Sequence, residues 1–209
     1  MFAKDRDLLV LEPGVFREVL WLGQRLVRGV GSVSGTTLTM TSQDVGFDDA
    51  GVEAGHVVVI DGVALEVIAR VSAGELEVSR LRASETGAPV GAGSIVSQVA
   101  EVSSFAPQIA LTHAQVLRML GLEASGRGAP SEDDVVNPGD LRLIEALGAL
   151  HVVYASAAAA GAGELAFKAA MYRERFSAER QRASARVDLD GDGAPDSIRR
   201  MNVTQFVRA

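Results

Sequence analysis

With 209 residues, 47% of them hydrophobic, the chain can bury a sizeable core. That excludes global disorder and leaves one large domain or two small ones. The absence of cysteine excludes disulfides, thiolate metal sites and thiol nucleophiles, and a formal net charge of −7 argues against general nucleic-acid binding. No uninterrupted apolar run approaches the roughly 18 residues of a membrane span. The opening "MFAKDRDLLVLEPG" lacks the regions of a signal peptide, so the expectation is a protein kept in the cytoplasm where it is made.

The first expected element is a helix over "EPGVFREVLWLGQRLVR". Pro13 suits a first turn, and Val15, Val19, Leu22 and Leu26 fall on one face, widened by Phe16 and Leu20. Trp21 on this helix is expected in the core. "GVGSVSG" (Gly29–Gly35) then ends the N-terminal helical segment, 1–35, as a flexible hinge. It does not follow a strand and open a helix, as a phosphate-binding glycine loop does.

Residues 36–103 switch to strand character. "TTLTMTS" alternates, "HVVVID" and "VALEVIARV" are β-branched runs joined at Asp61-Gly62, a hairpin signal, and "ELEVSRL" and "GSIVSQVAEV" complete five strands. A small antiparallel barrel or sandwich over 36–104 is the expectation. "PQIALTHAQVLRMLGL" returns to helical period through Ile109, Val116, Leu117 and Leu120. A mobile loop over 123–137 follows, in which Glu132, Asp133 and Asp134 read as solvated. Asn137-Pro138 reads as N-cap and first turn of helices running to about Arg186, interrupted near Gly161 and Gly163. In the second part Leu165, Ala169, Tyr172 and Phe176 form the buried stripe, with Arg173, Glu179 and Arg180 outward. The small residues Ala155–Ala162 invite close helix approach. The fold class is α+β: a helical core, 105–187, with a small antiparallel β-barrel or sandwich inserted before it, long C-terminal helices, and an Asp-rich loop and tail at 188–209 ending in a strand.

Charge is uneven. Residues 1–167 hold 11 Lys+Arg against 21 Asp+Glu, a balance of −10, whereas residues 168–209 hold 9 against 6, a balance of +3.

"VDLDGDGAPDSIRR" (Val187–Arg200) concentrates four carboxylates that repel one another unless a cation sits among them. Asp188, Asp190, Asp192 and Asp196 occupy positions 1, 3, 5 and 9 of an EF-hand-type loop, with Gly193 at the sharp turn and the Ala194 carbonyl as the seventh-position ligand. A structural Ca2+ suits this hard-oxygen set. Position 12 is Arg199 rather than Glu and position 8 is Pro195, so a closing carboxylate must come from elsewhere, with Glu174, Glu179 or another subunit as candidates. His56, His113 and His151 lie far apart without ligand spacing and read as hydrogen-bonded core or interface histidines. Ser32, Ser34, Ser103 and Ser104 lack a nucleophile-elbow context. No acid/base pair can be assigned, and the expectation is that the protein is not an enzyme.

The stretches "DRDLLVLEPGVFREV", "NPGDLRLIEALGALHVVYASAA" and "KAAMYRERFSAERQRASARVDLDGDGAPDSIRRMNVTQFVR", with a Tyr-x-x-x-Phe helix (Tyr172, Phe176) leading into an Asp-rich turn and a strand, resemble the head-to-tail adaptor (connector, head-completion) proteins of tailed bacteriophages. The resemblance implies a structural virion protein of the neck, assembled in the host cytoplasm. It implies a ring, usually of twelve copies, beneath the portal, extending the DNA channel and docking the stopper or tail. An acidic body repeated around a ring suits a lumen through which DNA slides without sequence-specific binding. The tail, with Val203, Phe206 and Val207 apolar and Arg199, Arg200 and Arg208 basic, suits a neighbour's sheet edge or the portal. The resemblance also predicts order on assembly for 123–137 and 196–209. The competing reading is a calcium-dependent binding or accessory module of a bacterial protein. An enzyme or a regulatory subunit of a bacterial operon ranks third.

Overall fold

The computed structural model describes residues 1–124, 130–159 and 163–201. The chain divides into two compact units, Lys4–Pro107 and the combination of Met1–Ala3 with Gln108–Ala209. It mixes helix and strand: a closed six-stranded antiparallel barrel and long helices.

The first unit opens with two short helices, α1 (Asp5–Leu11) and α2 (Val15–Glu18), and a 3-10 turn at Leu20–Leu22. Six strands follow: β1 (Gln24–Ser34), β2 (Thr37–Gln43), β3 (Val57–Ile60), β4 (Val63–Ser72), β5 (Glu75–Ser79) and β6 (Ser94–Ser104). They close in the order β1-β2-β5-β4-β3-β6, every pair antiparallel. Closure removes the exposed edges that an open sheet of this size would carry. Val27, Val33, Leu38, Leu65, Leu76 and Val102 fill the interior. The β3–β4 hairpin turns at Asp61 (φ 50°) and Gly62 (φ 71°), both left-handed, as a two-residue type I′ turn requires.

The long N-terminal helix expected over 12–28 does not form. Its apolar spacing is real only as far as Val19; Val15, Phe16 and Val19 are buried. Beyond Gly23 the chain takes the strand period, so Val27 and Val33 enter the barrel core. Two glycines in the next turns weaken a helix but suit a strand whose neighbours press close. The glycine run expected to be a hinge is therefore the second half of β1, and the barrel has six strands rather than five. A Cβ on Gly29 would collide with the Ser42 carbonyl oxygen and lie 2.7 Å from the Gln43 Cα, both backbone. Because backbone cannot rotate away, Gly29→Ala is expected to cost at least about 2 kcal/mol, read as a lower midpoint in urea unfolding. Trp21, expected in the core, is 61% exposed on the 3-10 turn.

The second unit holds α3, which spans Ala106–Leu120, α4 (Pro138–Ala158), α5 (Gly163–Arg180) and a hairpin of β7 (Ser184–Val187) and β8 (Ser197–Arg200). The helical pattern thus ends at Arg180, not near Arg186. Helix α4 is long and apolar enough, by length and composition, to cross a membrane; here it is largely buried, with Glu145 among its buried residues. Helices α4 and α5 pack through stacked rings of Tyr154 and Tyr172, 5.7 Å apart and 5° from parallel. Lys168 Nζ and the Arg175 guanidinium lie 5.2 Å and 5.5 Å from the Tyr154 and Tyr172 centroids, respectively, a geometry that favours a cation over a ring face. Ala169, Tyr172 and Phe176 are buried, as their spacing predicts, with Leu165 half-buried. The tight spot is Gly148, where an added Cβ would lie 3.0 Å from the Phe176 ring. In the Ala-rich stretch Ala157 is buried while Ala155 and Ser156 are exposed; its last residues, 160–162, lie outside the described residues.

Asn137 precedes α4 with Pro138 in its first turn, as expected, yet its side chain does not cap the helix. Its Nδ2 donates to Asp140 Oδ2 (2.9 Å) and to the Ser184 carbonyl (3.0 Å), and its Oδ1 accepts from Arg186 N (2.6 Å). Val136 N donates to the Arg186 carbonyl and Asp188 N to the Asp134 carbonyl, each at 2.9 Å. These bonds pin β7 beside residues 134–137. The segment expected to be a mobile loop is therefore structured where described, with Glu123 bridging Ser131 and a 3-10 turn at Glu132–Asp134. Residues 125–129 lie outside the described residues, as does most of the expected terminal strand, including Val203, Phe206, Val207 and Arg208.

Candidate functional site

The Asp-rich segment is the loop of the β7–β8 hairpin rather than an exit from a helix. It turns at Gly191 (φ 79°) and Gly193 (φ 86°), left-handed positions that glycine adopts at least cost. Asp188 organises it: its Oδ1 accepts from Gly191 N at 2.8 Å and its Oδ2 from Gly193 N at 2.7 Å. Asp196 Oδ2 accepts from Leu189 N at 2.7 Å, closing the loop from the other side. The Gly193 N–H, and with it the Gly191 N–H, holds the Asp188 carboxyl below the usual carboxylate range, despite an opposing effect of burial.

Carboxylate oxygens of Asp188, Asp190 and Asp196 lie within 4.8 Å of one another and could hold a metal ion. All three donors are hard oxygens, the set that suits calcium or magnesium rather than a transition metal. Asp192 stands outside this trio and accepts from Ala194 N at 2.7 Å, and Ala194 is exposed. Glu174 and Glu179, considered as closing ligands, do not join the group. The alternation of the sequence thus places three of its four carboxylates together, and the hairpin assigns the fourth to a turn.

The histidines are hydrogen-bonded residues. His56 Nδ1 accepts from Glu53 N at 2.8 Å, and His151 Nδ1 lies 3.1 Å from the Ala169 carbonyl. His113 is different in kind. Its Nδ1 is 2.8 Å from Glu145 Oε2 and its Nε2 2.9 Å from Glu132 Oε2, so the ring bridges two carboxylates. Glu145, fully buried, also accepts from Phe2 N and Ala3 N at 3.2 Å each. Glu132 accepts from the Met1 amino group, and the Phe2 ring meets His113 edge-on at 5.0 Å. Glu132, read from sequence as solvated, is instead a structural anion. Asp134 likewise accepts from Ser131 N at 2.7 Å in a reciprocal cap. The signal for this cluster was present in "LIEALGALHVV": a lone carboxylate in an apolar helix needs a buried partner.

Burial pushes the His113 pKa down, but the Glu145 hydrogen bond and the two negative charges outweigh it and leave the pKa raised. A raised folded-state value means that this contribution to stability is complete below the unfolded value of 6.5 and is lost as pH climbs through the folded value. The unfolding free energy is therefore expected to fall as pH rises from about 6.5 through the raised folded-state value. In His113→Gln that His113-dependent part of the fall should be missing, and identical pH profiles for the two proteins would show that the histidine is not charged in its clasp.

Among the serines, Ser32 Oγ accepts from Ser97 N and Ser104 Oγ from Ala106 N, each at 3.0 Å, both roles that shape backbone. Comparisons with family models, with curated proteins and with solved structures find no match to the chain.

Proposed function

We propose that this protein is a head-to-tail adaptor of a tailed bacteriophage. In this reading it is a structural virion subunit, without catalysis, that assembles as a ring under the portal, extends the DNA channel and docks the stopper or tail. The observation that supports the reading is a set of large apolar side chains exposed on both units. Trp21 and Val96 on the first, and Phe167 and Ile198 on the second, each expose 60% or more of their surface. A subunit flanked by two copies of itself and capped by other proteins has partners for such side chains on every unit. The acidic balance of residues 1–167 suits a channel that repels phosphates.

The test is electron microscopy of the purified protein, alone and mixed with a portal. Rings, or a collar on the portal, are the expected result. A monomer that binds no portal would end the reading.

The carboxylate trio in the β7–β8 loop supports a second reading, a calcium-dependent binding module, and in either reading the ion is structural. Ca2+ at about a hundred times its dissociation constant is expected to stabilise the hairpin-bearing unit by about 2.7 kcal/mol, and Asp190→Asn to abolish most of that gain. A melting curve unmoved by both calcium and chelator would remove the ion from either reading.

A further inference from the structure

Strand β8 has only one partner. It pairs with β7 from Ser197 to Arg200, and on its other edge it finds no strand among the described residues. Beside that edge lies a cleft of about 420 Å3, walled by the end of α3 at Arg118–Gly121 and by the four consecutive residues Ile198–Met201. Side chains of a strand alternate between its two faces. The three consecutive strand residues Ile198–Arg200, with Met201 just beyond the strand, line this one cleft, as they do when a cleft follows the strand edge, where the unpaired main chain lies. Three arginines, Arg118, Arg199 and Arg200, stand on this cleft, and none of them is in an ion pair with a carboxylate of the described residues. In a chain of net charge −7, a group of three uncompensated guanidinium ions marks a place where a negative partner is favoured.

We propose that this cleft receives an extended acidic peptide segment of a partner protein, which adds as a strand to the free edge of β8 and places its carboxylates against Arg118, Arg199 and Arg200. The main chain of β8 supplies the register and most of the hydrogen bonds, as in other strand additions. The guanidinium groups select acidic side chains through paired N–H···O bonds. The exposed Ile198, with Met119, gives the incoming strand an apolar surface that a small inorganic anion would not use. Four residues of edge span roughly 13 Å, enough for a strand of about four residues. The whole protein's negative charge opposes a nucleic-acid backbone at the same place. This inference stands on the cleft and the strand edge, and holds whether or not the protein is an adaptor.

The test uses the full chain and a fluorescent eight-residue peptide of alternating Val and Glu. Saturable binding is expected, with a dissociation constant below about 100 μM and weakening with salt. Arg118→Glu combined with Arg200→Glu is expected to raise that constant at least about tenfold, with the melting curve reporting that the fold is intact. Arg118→Ala, a change at an exposed helix position, serves as the milder variant and is expected to weaken binding about threefold. The same peptide N-methylated at alternate amides, unable to extend a sheet, should not bind. Equal binding of the methylated peptide would overturn strand addition. Equal binding of an alternating Val-Lys peptide, displacement by duplex DNA at lower concentration than by unlabelled peptide, or no saturation up to about 1 mM would each overturn the acidic-peptide site.

Discussion

Replacing Glu66 with Ala is expected to destabilise the barrel-bearing unit by about 3–5 kcal/mol, the cost of stranding buried charges once their partner is gone. Glu66 has no exposed surface and sits between two arginines. Its Oε2 accepts from Arg6 Nε at 2.7 Å, and its Oε1 accepts from Arg82 Nε at 2.7 Å and from Arg82 N at 2.9 Å. The Arg6 and Arg82 side chains are themselves 6% and 9% exposed. Arg6 rides on α1, so Glu66 on β4 helps fasten that helix to the barrel, beside the bonds from Arg6 N to the Gly55 carbonyl and from Phe105 N to Asp5 Oδ1. Burial alone would raise the Glu66 pKa, but the hydrogen bonds from Arg82 and Arg6 outweigh it and the pKa is lowered. The sign for linkage follows: the contribution is present above the unfolded value of 4.5 and is lost as pH falls through the lower folded value. Urea unfolding at pH 7 should therefore show the full loss, and the gap between wild type and Glu66→Ala should narrow in acid. Amide exchange in α1 should accelerate in the variant. A loss under about 1 kcal/mol at pH 7 would mean that the pair is solvated in solution. A triple change to apolar residues, Arg6→Met, Glu66→Leu and Arg82→Leu, should recover much of the stability, because desolvation of the ions then no longer opposes folding.

Glu145→Ala is expected to cost the helical unit about 3 kcal/mol. The side chain satisfies Phe2 N, Ala3 N and His113 Nδ1 at once from a buried position in the middle of α4. Without it two main-chain donors lose their acceptor, and His113 loses the partner that does most to raise its pKa. The His113 imidazole resonance should then titrate at lower pH than in the wild type, which separates this loss from a packing defect. Glu145→Gln keeps the shape and an acceptor and should recover part of the stability without recovering the titration. If both variants leave stability and titration untouched, residues 1–3 are not held by this carboxylate in solution.

Local pattern was enough to reveal most of the strands, the Asp61-Gly62 turn, the start of α4 at Pro138 and the Tyr172–Phe176 stripe. In each case the information lies within a few residues, in a period of two or of 3.6 or in the backbone preferences of Gly and Pro. The same reasoning misread Gln24–Arg28, the end of the helix expected over 12–28, where Gly23, Gly29 and Gly31 make a strand possible and pairing with β2 and β6 decides it. It also misread Trp21. An aromatic residue in an apolar run is a candidate for the core, and only the position of the 3-10 turn leaves it in solvent.

The site divides in the same way. Composition and spacing suffice to show a cluster of hard-oxygen donors near the end of the chain, the lack of thiol chemistry and the separation of charge along the chain. The tertiary structure decided which donors converge. Asp188 and Asp196 come together because β7 and β8 pair, while Asp192 is given to a turn. It also decided the partners of Glu66, Glu145 and His113, which lie 19 to 143 residues away in the helical cluster and 16 or 60 away in the barrel. A buried charge announces in the sequence that it needs a counterpart, because leaving it unpaired costs several kcal/mol. Which counterpart it finds depends on long-range packing, and no local pattern encodes that.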